Sequence, residues 1–321
     1  MNIKPQCPSE YCTPNRLQSV YYLVYALCLT FIPCLIIQIL FNSVASNWIA
    51  SLCSIPLWIM SGYGFFMLAG TAHEGFHFNL HPRPITSAVI GIFFSSAIPG
   101  FMAVGFYSSH WMHHRFTNTQ QDPDFLLFGR FKSFWSRAFL ARLSATSIYR
   151  RIALDIARGL PLENIRKGTF TYSEFQKLSI LNFATQGFWF GIYIAITLFF
   201  WKFVFLGLLI SLVATILITG LNPYQEHGDT GIAIENCART RISKIYTVLM
   251  FGTNYHFEHH LYPRVPCWRL PRLHRWLKQT SWYRSHAMIT EKSFVRSFVP
   301  AISRNIRYGI QIHPTNNVSE V

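Results

Sequence analysis

Long apolar stretches alternate with polar, basic segments along this chain, and the apolar stretches have the length of membrane-spanning helices. Four of them reach the roughly 20 residues that a helix needs to cross the hydrocarbon core of a bilayer. They cover residues 19–41, 48–70, 179–200 and 203–221. Little more than Lys202 separates the last two, which predicts a tight helical hairpin. The pattern therefore predicts an all-α integral membrane protein with four transmembrane helices.

The distribution of basic residues sets the orientation that we expect. Lys and Arg in short loops stay on the cytoplasmic side of a membrane. Placing residues 1–18, 73–178 and 222–321 on one side collects 27 of the 28 Lys and Arg there and leaves Lys202 opposite. That side is therefore predicted to be cytoplasmic.

A fifth apolar stretch, residues 86–107, is broken by Pro99-Gly100. If this stretch crossed the membrane fully, the basic block at 115–177 would face the wrong side. We therefore expect a re-entrant or interfacial segment that does not cross.

Composition agrees with a membrane protein that forms one unit over residues 1–321. The chain is 51% hydrophobic and 13% charged, against about 25% charged residues in ordinary soluble domains. Its formal charge of +15 is spread over segments beside the membrane, where attraction to anionic lipid headgroups explains it. We therefore predict no nucleic-acid partner, and recognition of an acidic carrier on the substrate is an alternative explanation of the charge.

Histidines carry the candidate chemistry. Nine of the 13 fall into four clusters on the predicted cytoplasmic side. The clusters are HEGFH with His73 and His77, HWMHH with His110, His113 and His114, QEHGDT with His227, and HFEHH with His256, His259 and His260. Residues at i, i+3 and i+4 share one face of a helix, so each H-x-x-H-H is expected to present three imidazoles to one point. His81 continues the first series, but Pro82 is expected to end that helix, so His81 is left out of the ligand set.

The number of clustered imidazoles predicts a dinuclear metal site. Nine imidazoles exceed the ligand set of one zinc ion, which takes about four ligands. They match two ions with four or five ligands each. Imidazole suits zinc, copper, iron and nickel, so the ligand type does not choose among these metals.

Two other metal-dependent functions compete with this interpretation. HEGFH has the H-E-x-x-H pattern of zinc proteases, in which His73 and His77 would bind zinc and Glu74 would act as the base. Such an intramembrane protease needs a further ligand, and residues 179–221 contain no Asp or Glu. A metal carrier would place its ligands near the bilayer midplane, whereas these clusters lie at the predicted cytoplasmic edge. Both functions therefore stay remote alternatives.

The segments AHEGFH, HWMHHRFTNTQQDPD and NYHFEHHLYPRVPCWRLPRLH resemble the three histidine boxes of the integral-membrane fatty acid desaturase superfamily. The resemblance covers residues 62–277. It implies a helical protein whose cytoplasmic helical cap holds two iron ions over a narrow lipid tunnel. The ligands that it implies are His73, His77, His110, His113, His114, His256, His259 and His260, and His227 matches the location of a further histidine in relatives.

Several polar residues beside these ligands are candidates for orienting them. Three are glutamates: Glu74, Glu226 and Glu258. They would hydrogen-bond the imidazoles and raise their basicity, or they would be solvated positions at the interface. Some relatives hold a water with an asparagine four residues before the further histidine, whereas Asn222 lies five residues before it. For Asp122 and Asp124 in DPD, the resemblance implies a structural or substrate-orienting role.

The resemblance implies an O2-dependent oxidoreductase that introduces a double bond into a fatty acyl chain of a lipid or acyl thioester. A hydroxylase or ketolase acting on a lipid or carotenoid is the alternative, since substrate positioning separates these reactions. The sequence contains no H-P-G-G of a fused cytochrome b5 and no cysteine pattern for an iron–sulfur cluster. We therefore expect a separate electron donor of the cytochrome b5 or ferredoxin type. The expected location is a bacterial inner membrane or the endoplasmic reticulum.

Overall fold

The computed structural model describes residues 4–160, 169–286, 288–303 and 308, so the predicted single unit extends beyond the described residues. This part of the chain is mostly helical. The α-helices are α1 (Ser9–Cys12), α2 (Arg16–Ser43), α3 (Asn47–Phe76), α4 (Pro84–Ser95), α5 (Ala103–Phe116), α6 (Pro123–Phe128), α7 (Arg142–Ala157), α8 (Tyr172–Lys202), α9 (Ile210–His227), α10 (Lys244–Leu249), α11 (His256–Leu261), α12 (Leu270–Leu277), α13 (Ser281–Ser285) and α14 (Val299–Ile302). Short π-helical and 3-10 stretches cover Ser136–Ala141, Phe203–Leu209, Cys267–Arg269 and Arg296–Phe298. Two strands, β1 (Arg239–Arg241) and β2 (Ile289–Glu291), pair in parallel.

Three helices of the described chain are long and apolar enough to cross a membrane: Arg16–Ser43, Asn47–Phe76 and Tyr172–His227. The first two contain the first two predicted spans. The third contains both remaining predicted spans and is interrupted at Phe200, where φ is −134° and ψ is 51°. The expected break near Lys202 therefore exists, two residues earlier in the chain.

Local sequence signals explain where the long helices begin. The Asn15 side chain accepts a hydrogen bond from the Gln18 backbone at the start of α2. At the start of α8, Thr171 and Glu174 form a capping box in which each side chain bonds the backbone of the other. These contacts satisfy backbone N–H groups that the first turn of a helix leaves free.

Small residues let α3 pack closely between α2 and α9. A Cβ atom added at Gly64 would lie 2.4 Å from the Thr30 backbone nitrogen of α2. One added at Gly62 would lie 2.6 Å from Cβ of Ala214 in α9. Close helix approach through small residues is the common packing mode of membrane helices. It fixes the end of α3, which carries the first histidine cluster, beside the end of α9.

The fifth apolar stretch forms two helices, α4 and α5, joined by a turn at Pro99-Gly100. The Gln186 side chain of α8 covers this turn: it accepts a hydrogen bond from Gly100 N at 3.0 Å and donates to the carbonyl oxygens of Ile98 and Phe101 at 3.1 and 2.8 Å. The backbone groups that the break leaves free thus find protein partners. Helix α5 leads back to the end of α3.

The bend at Phe200 lies at the far end of the helices from the histidines. Beside it, Lys202 Nζ donates to the Phe41 carbonyl at 2.7 Å and to Asn42 Oδ1 at 2.9 Å, at the end of α2. The unpaired carbonyls of that helix end attract a cation. Lys202 is the basic residue that the charge distribution leaves opposite the other 27.

Candidate metal centre

The structure brings all nine candidate histidines together from four segments of the chain. His73 lies on the last turn of α3 and His77 follows that helix directly. Helix α5 carries the second cluster, His227 ends α9, and the short helix α11 carries the last cluster. The nine rings form two separate groups.

The first group, here called the five-histidine group, consists of His73, His77, His110, His114 and His259. Their Nε2 atoms converge. The Nε2 distances are 2.9 Å from His73 to His259, 3.1 Å from His77 to His110, 3.0 Å from His110 to His114 and 2.9 Å from His114 to His259.

The second group, the four-histidine group, consists of His113, His227, His256 and His260. Here the Nε2 distances are 3.1 Å from His113 to His227, 2.9 Å from His227 to His256, 3.1 Å from His256 to His260 and 3.3 Å from His260 to His113. All nine rings therefore turn the same nitrogen inward.

These spacings fit metal coordination. Metal–imidazole bonds of about 2.1 Å at right angles place neighbouring nitrogens about 3.0 Å apart. Five converging imidazoles also exceed the four ligands of tetrahedral zinc. The donor set thus fits two metal ions of higher coordination number, and iron is among the metals that imidazole suits.

The expectation that each H-x-x-H-H presents three imidazoles to one point is wrong. His110 and His114 join the five-histidine group, whereas His113 joins the other. Likewise, His256 and His260 separate from His259. At 3.6 residues per turn, residues i+3 and i+4 diverge by about 100° around the helix, while i and i+4 diverge by about 40°. Each H-x-x-H-H therefore contributes to both groups, whereas His73 and His77 of HEGFH both belong to the five-histidine group.

Burial keeps most of these imidazoles neutral, which is the form that binds metals. Outside the membrane-spanning helices, burial lowers the pKa of six imidazoles well below the ordinary value, and neighbouring imidazoles lower it further: His77, His110, His114, His256, His259 and His260. Burial acts on His113 as well, but Asp122 and, more weakly, Asp124 raise its pKa to about 9. Metal binding at His113 therefore has to displace a proton.

Two of the glutamates singled out in the sequence contact candidate ligands. Glu74 Oε1 lies 2.9 Å from Nδ1 of His73, and its other oxygen accepts from Asn79 and from the backbone of Cys267. Glu226 lies 3.6 Å from Nδ1 of His256. Each contact orients an imidazole from the side away from the metal position.

Glu258 and Asn222 have different partners. The Glu258 carboxylate bonds Nδ1 of His274 at 2.6 Å and the hydroxyl of Thr240. Asn222 Oδ1 accepts from Arg241 at 3.3 Å. Among the residues that the structure describes, neither has a hydrogen bond to any of the nine rings, although Asn222 lines the cavity beside them.

Asp122 contacts a candidate ligand, His113, although the sequence predicted no such contact for it. Its two oxygens lie 3.0 and 2.9 Å from Nδ1 of His113, and they also accept from the backbone of Asn118 and Asp124. The signal in the sequence was Asp before Pro123, which is typical of a helix start. That pattern predicts the cap of α6 but not the contact with His113.

A cavity with about 130 Å³ of solvent-accessible space runs past both histidine groups. Three rings of the five-histidine group and three of the four-histidine group line it. Much of the remaining wall is apolar: Phe66, Met67, Phe101, Phe106, Phe128 and Leu270. An apolar chain in this cavity would lie beside both metal positions.

The geometry does not suit the H-E-x-x-H protease. In that chemistry the glutamate must be free to take a proton from a metal-bound water. Glu74 is fully buried and its oxygens are engaged by His73, Asn79 and Cys267. In addition, His73 and His77 share their group with three further imidazoles.

Comparison with known proteins agrees with this site. The family model described as fatty acid desaturase matches residues 46–292, which include all nine histidines. The chain belongs to the fatty acid desaturase family. A beta-carotene ketolase of Paracoccus sp. (strain PC1) is 27% identical over 246 residues, covering 73% of this chain and 82% of the relative. A beta-carotene ketolase of Paracoccus sp. (strain N81106 / MBIC 01143) is 27% identical over 213 residues, covering 65% and 72%.

Membership of this family makes the chain an oxidoreductase. Its apolar helices and histidine clusters are those of an integral membrane, metal-binding enzyme. The resemblance carried by the three histidine boxes is thus confirmed.

Proposed function

We propose that this chain is an O2-dependent di-iron oxidase that introduces a double bond into a fatty acyl chain of a lipid or acyl thioester. One observation carries the proposal: two groups of imidazoles with the spacing of metal ligands line a single, largely apolar cavity. Such a cavity binds an apolar chain and excludes water from it. The family described as fatty acid desaturase supports this reaction.

All nine histidines would act as iron ligands, five at one position and four at the other. Bound iron would supply the activation of O2 and the removal of hydrogen from an unactivated CH2 group. The chain's own carboxylates hold protons on the outer nitrogens: Glu74 faces Nδ1 of His73, and Asp122 faces Nδ1 of His113. This tautomer leaves Nε2 free to bind a metal.

Ketolation of a carotenoid is the second candidate. Both named relatives are beta-carotene ketolases, and their similarity to this chain covers 82% and 72% of their lengths. The same ligand set would serve either reaction, because the position of the substrate chain decides whether a second hydrogen is removed or oxygen is transferred to the carbon.

The test is expression in two hosts, one with simple lipids and one that accumulates β-carotene, followed by mass spectrometry of total lipids and pigments. We expect acyl chains with an additional double bond, and lipids unchanged from the empty host in a His113→Ala control. A keto group on the pigment would show that the reaction is ketolation rather than desaturation. Unchanged lipids and pigments in both hosts, from membrane-inserted protein loaded with iron, would contradict the proposal.

We further propose four membrane crossings, with α8 and α9 as two of them. A straight helix of 56 residues would measure about 84 Å, far more than the roughly 30 Å of hydrocarbon. Ser179 of α8 donates to Ala153 of α7, and Arg142 of α7 donates to Thr219 of α9, so both legs contact the same helix. The segments between the spans would form one unit with a cap on the cytoplasmic side, where the basic residues lie.

Electrons would come from a separate protein of the cytochrome b5 or ferredoxin type. Desaturation consumes two more electrons than the substrate supplies. The charge of +15 would attract an acidic donor by electrostatic steering.

A further inference from the structure

The outer nitrogens of the nine rings distinguish the two metal positions. In the four-histidine group, two rings have a short hydrogen bond at Nδ1, the nitrogen that faces away from the metal position. Nδ1 of His113 bonds both oxygens of Asp122 at 3.0 and 2.9 Å. Nδ1 of His227 donates to the carbonyl oxygen of Cys237 at 2.9 Å. These contacts fix the ring planes and the tautomers.

The other two rings of this group also have partners. Nδ1 of His260 lies 3.3 Å from the hydroxyl of Thr117. Nδ1 of His256 lies 3.6 Å from the carboxylate of Glu226, part of whose charge is offset by Arg241 at 3.4 Å. Three rings of the four-histidine group thus have a hydrogen-bond partner at Nδ1, and the fourth, His256, faces a carboxylate at 3.6 Å.

The five-histidine group is backed differently. Three of its outer nitrogens are buried and have no hydrogen-bond partner within the described residues: Nδ1 of His77, His114 and His259. Glu74 backs His73 at 2.9 Å. Packing alone therefore orients most of these rings.

Backing of this kind changes metal affinity. A hydrogen-bonded outer nitrogen fixes the ring and makes the inner nitrogen more basic, and losing such a partner costs about 10–100-fold in affinity. Two carboxylates, Asp122 and Glu226, face outer nitrogens of the four-histidine group, whereas one, Glu74, faces an outer nitrogen of the five-histidine group. In the five-histidine group, the additional imidazole would have to offset the affinity lost at three rings whose Nδ1 has no hydrogen-bond partner in the described part of the chain.

We infer that the two metal positions are unequal: the four-histidine group binds its ion more tightly, and the five-histidine group releases its ion first. The inference rests on the proposed two-iron site. Asp122 is the main positioning residue of the tight site, and Glu74 is its counterpart at the weak one.

The test uses the full-length protein in detergent, loaded with Fe2+ without oxygen and equilibrated with increasing concentrations of a chelator. Elemental analysis then gives the iron retained per chain. We expect two steps, from two ions to one and from one to none, separated by at least about 10-fold in chelator concentration.

Matched variants assign the steps. Asp122→Asn should move the second step by about 10–100-fold and leave the first in place. Glu74→Gln should move the first step and leave the second. Because Asp122 also caps α6, Thr117→Val provides a milder variant of the tight site that retains the cap, and it should move the second step in the same direction.

Three outcomes would overturn the inference. One is a single step in which both ions leave together. Another is a first step that responds to Asp122→Asn and Thr117→Val while the second responds to Glu74→Gln. The last is a protein that never holds more than one ion, which contradicts the two-iron function itself and is recognised by its metal content before any chelator is added.

Discussion

Each of the nine histidines turns Nε2 toward a metal position, so at the scale of the residue the site depends on burial and on the partner at Nδ1. Burial supplies neutral rings, and a carboxylate such as Asp122 holds the proton on the outer nitrogen. The same carboxylate raises the pKa of His113 to about 9 in the metal-free chain. Asp122 therefore makes this ring a better ligand and also makes its proton harder to remove.

Replacing His227 by Ala should abolish the product, because the four-histidine group would keep three ligands. We expect activity to fall by more than about 100-fold, because losing a ligand costs more than losing a residue that only hydrogen-bonds a ligand. The protein should remain in the membrane. His81→Ala is the matched control, since His81 bonds the backbone of Arg83 and belongs to neither group. Product analysis by mass spectrometry measures both. Full activity of His227→Ala would remove His227 from the ligand set.

The purified protein should contain about two irons per chain. Five converging imidazoles exceed what tetrahedral zinc accepts, and the remaining four form a second position. Elemental analysis after expression with both metals available is the measurement. Stoichiometric zinc without iron would contradict the oxidase.

At the scale of the element, hydrophobic pattern predicted the long helices well and their ends less well. The span expected at 48–70 belongs to a helix that continues to Phe76, because the histidine cluster itself is helical. That helix ends well before Pro82, since Phe78 takes a left-handed φ of 62°. The membership of the two groups could not be predicted from spacing, because helix rotation and the packing of α5 against α11 decide it.

The close approach of α3 to α2 gives a test of the packing. Gly64→Val would force a side chain against the Thr30 backbone, whose nitrogen lies 2.4 Å from the added Cβ. Overpacking of this kind costs about 1–3 kcal/mol. Gly187→Val in α8 is the control, because nothing lies within 4 Å of an added Cβ there. We expect a lower melting temperature in detergent for the first variant and an unchanged one for the second, and equal values would show that α2 and α3 pack differently.

At the scale of the whole molecule, the ligands meet because the four segments that carry them, the ends of α3 and α9 and the helices α5 and α11, lie at the same end of the long helices. His77 and His110 lie on either side of α4 and the turn at Pro99-Gly100, yet their Nε2 atoms are 3.1 Å apart. The basic residues at 115–177 predicted that residues 86–107 do not cross the membrane and that His110 therefore lies on the same side as His77. The sequence could not predict how the turn is stabilised, because Gln186 is 86 residues from Gly100 along the chain.

The orientation of this assembly in the membrane can be tested with single cysteines in a cysteine-free background. A full crossing of residues 86–107 would separate His77 from His110 by about 30 Å of hydrocarbon, which their contact excludes. Cysteines at the exposed positions Arg83 and Gln120, which flank that segment, should therefore both react with a membrane-impermeant thiol reagent from the cytoplasmic side. A cysteine at exposed Ala45, between α2 and α3, should react from the opposite side and serves as the control. Labelling of Arg83→Cys and Gln120→Cys from different sides would break the two-metal geometry. Labelling of both from the side that Ala45→Cys faces would instead show that α3, the one proposed crossing between Ala45 and Arg83, does not cross the membrane.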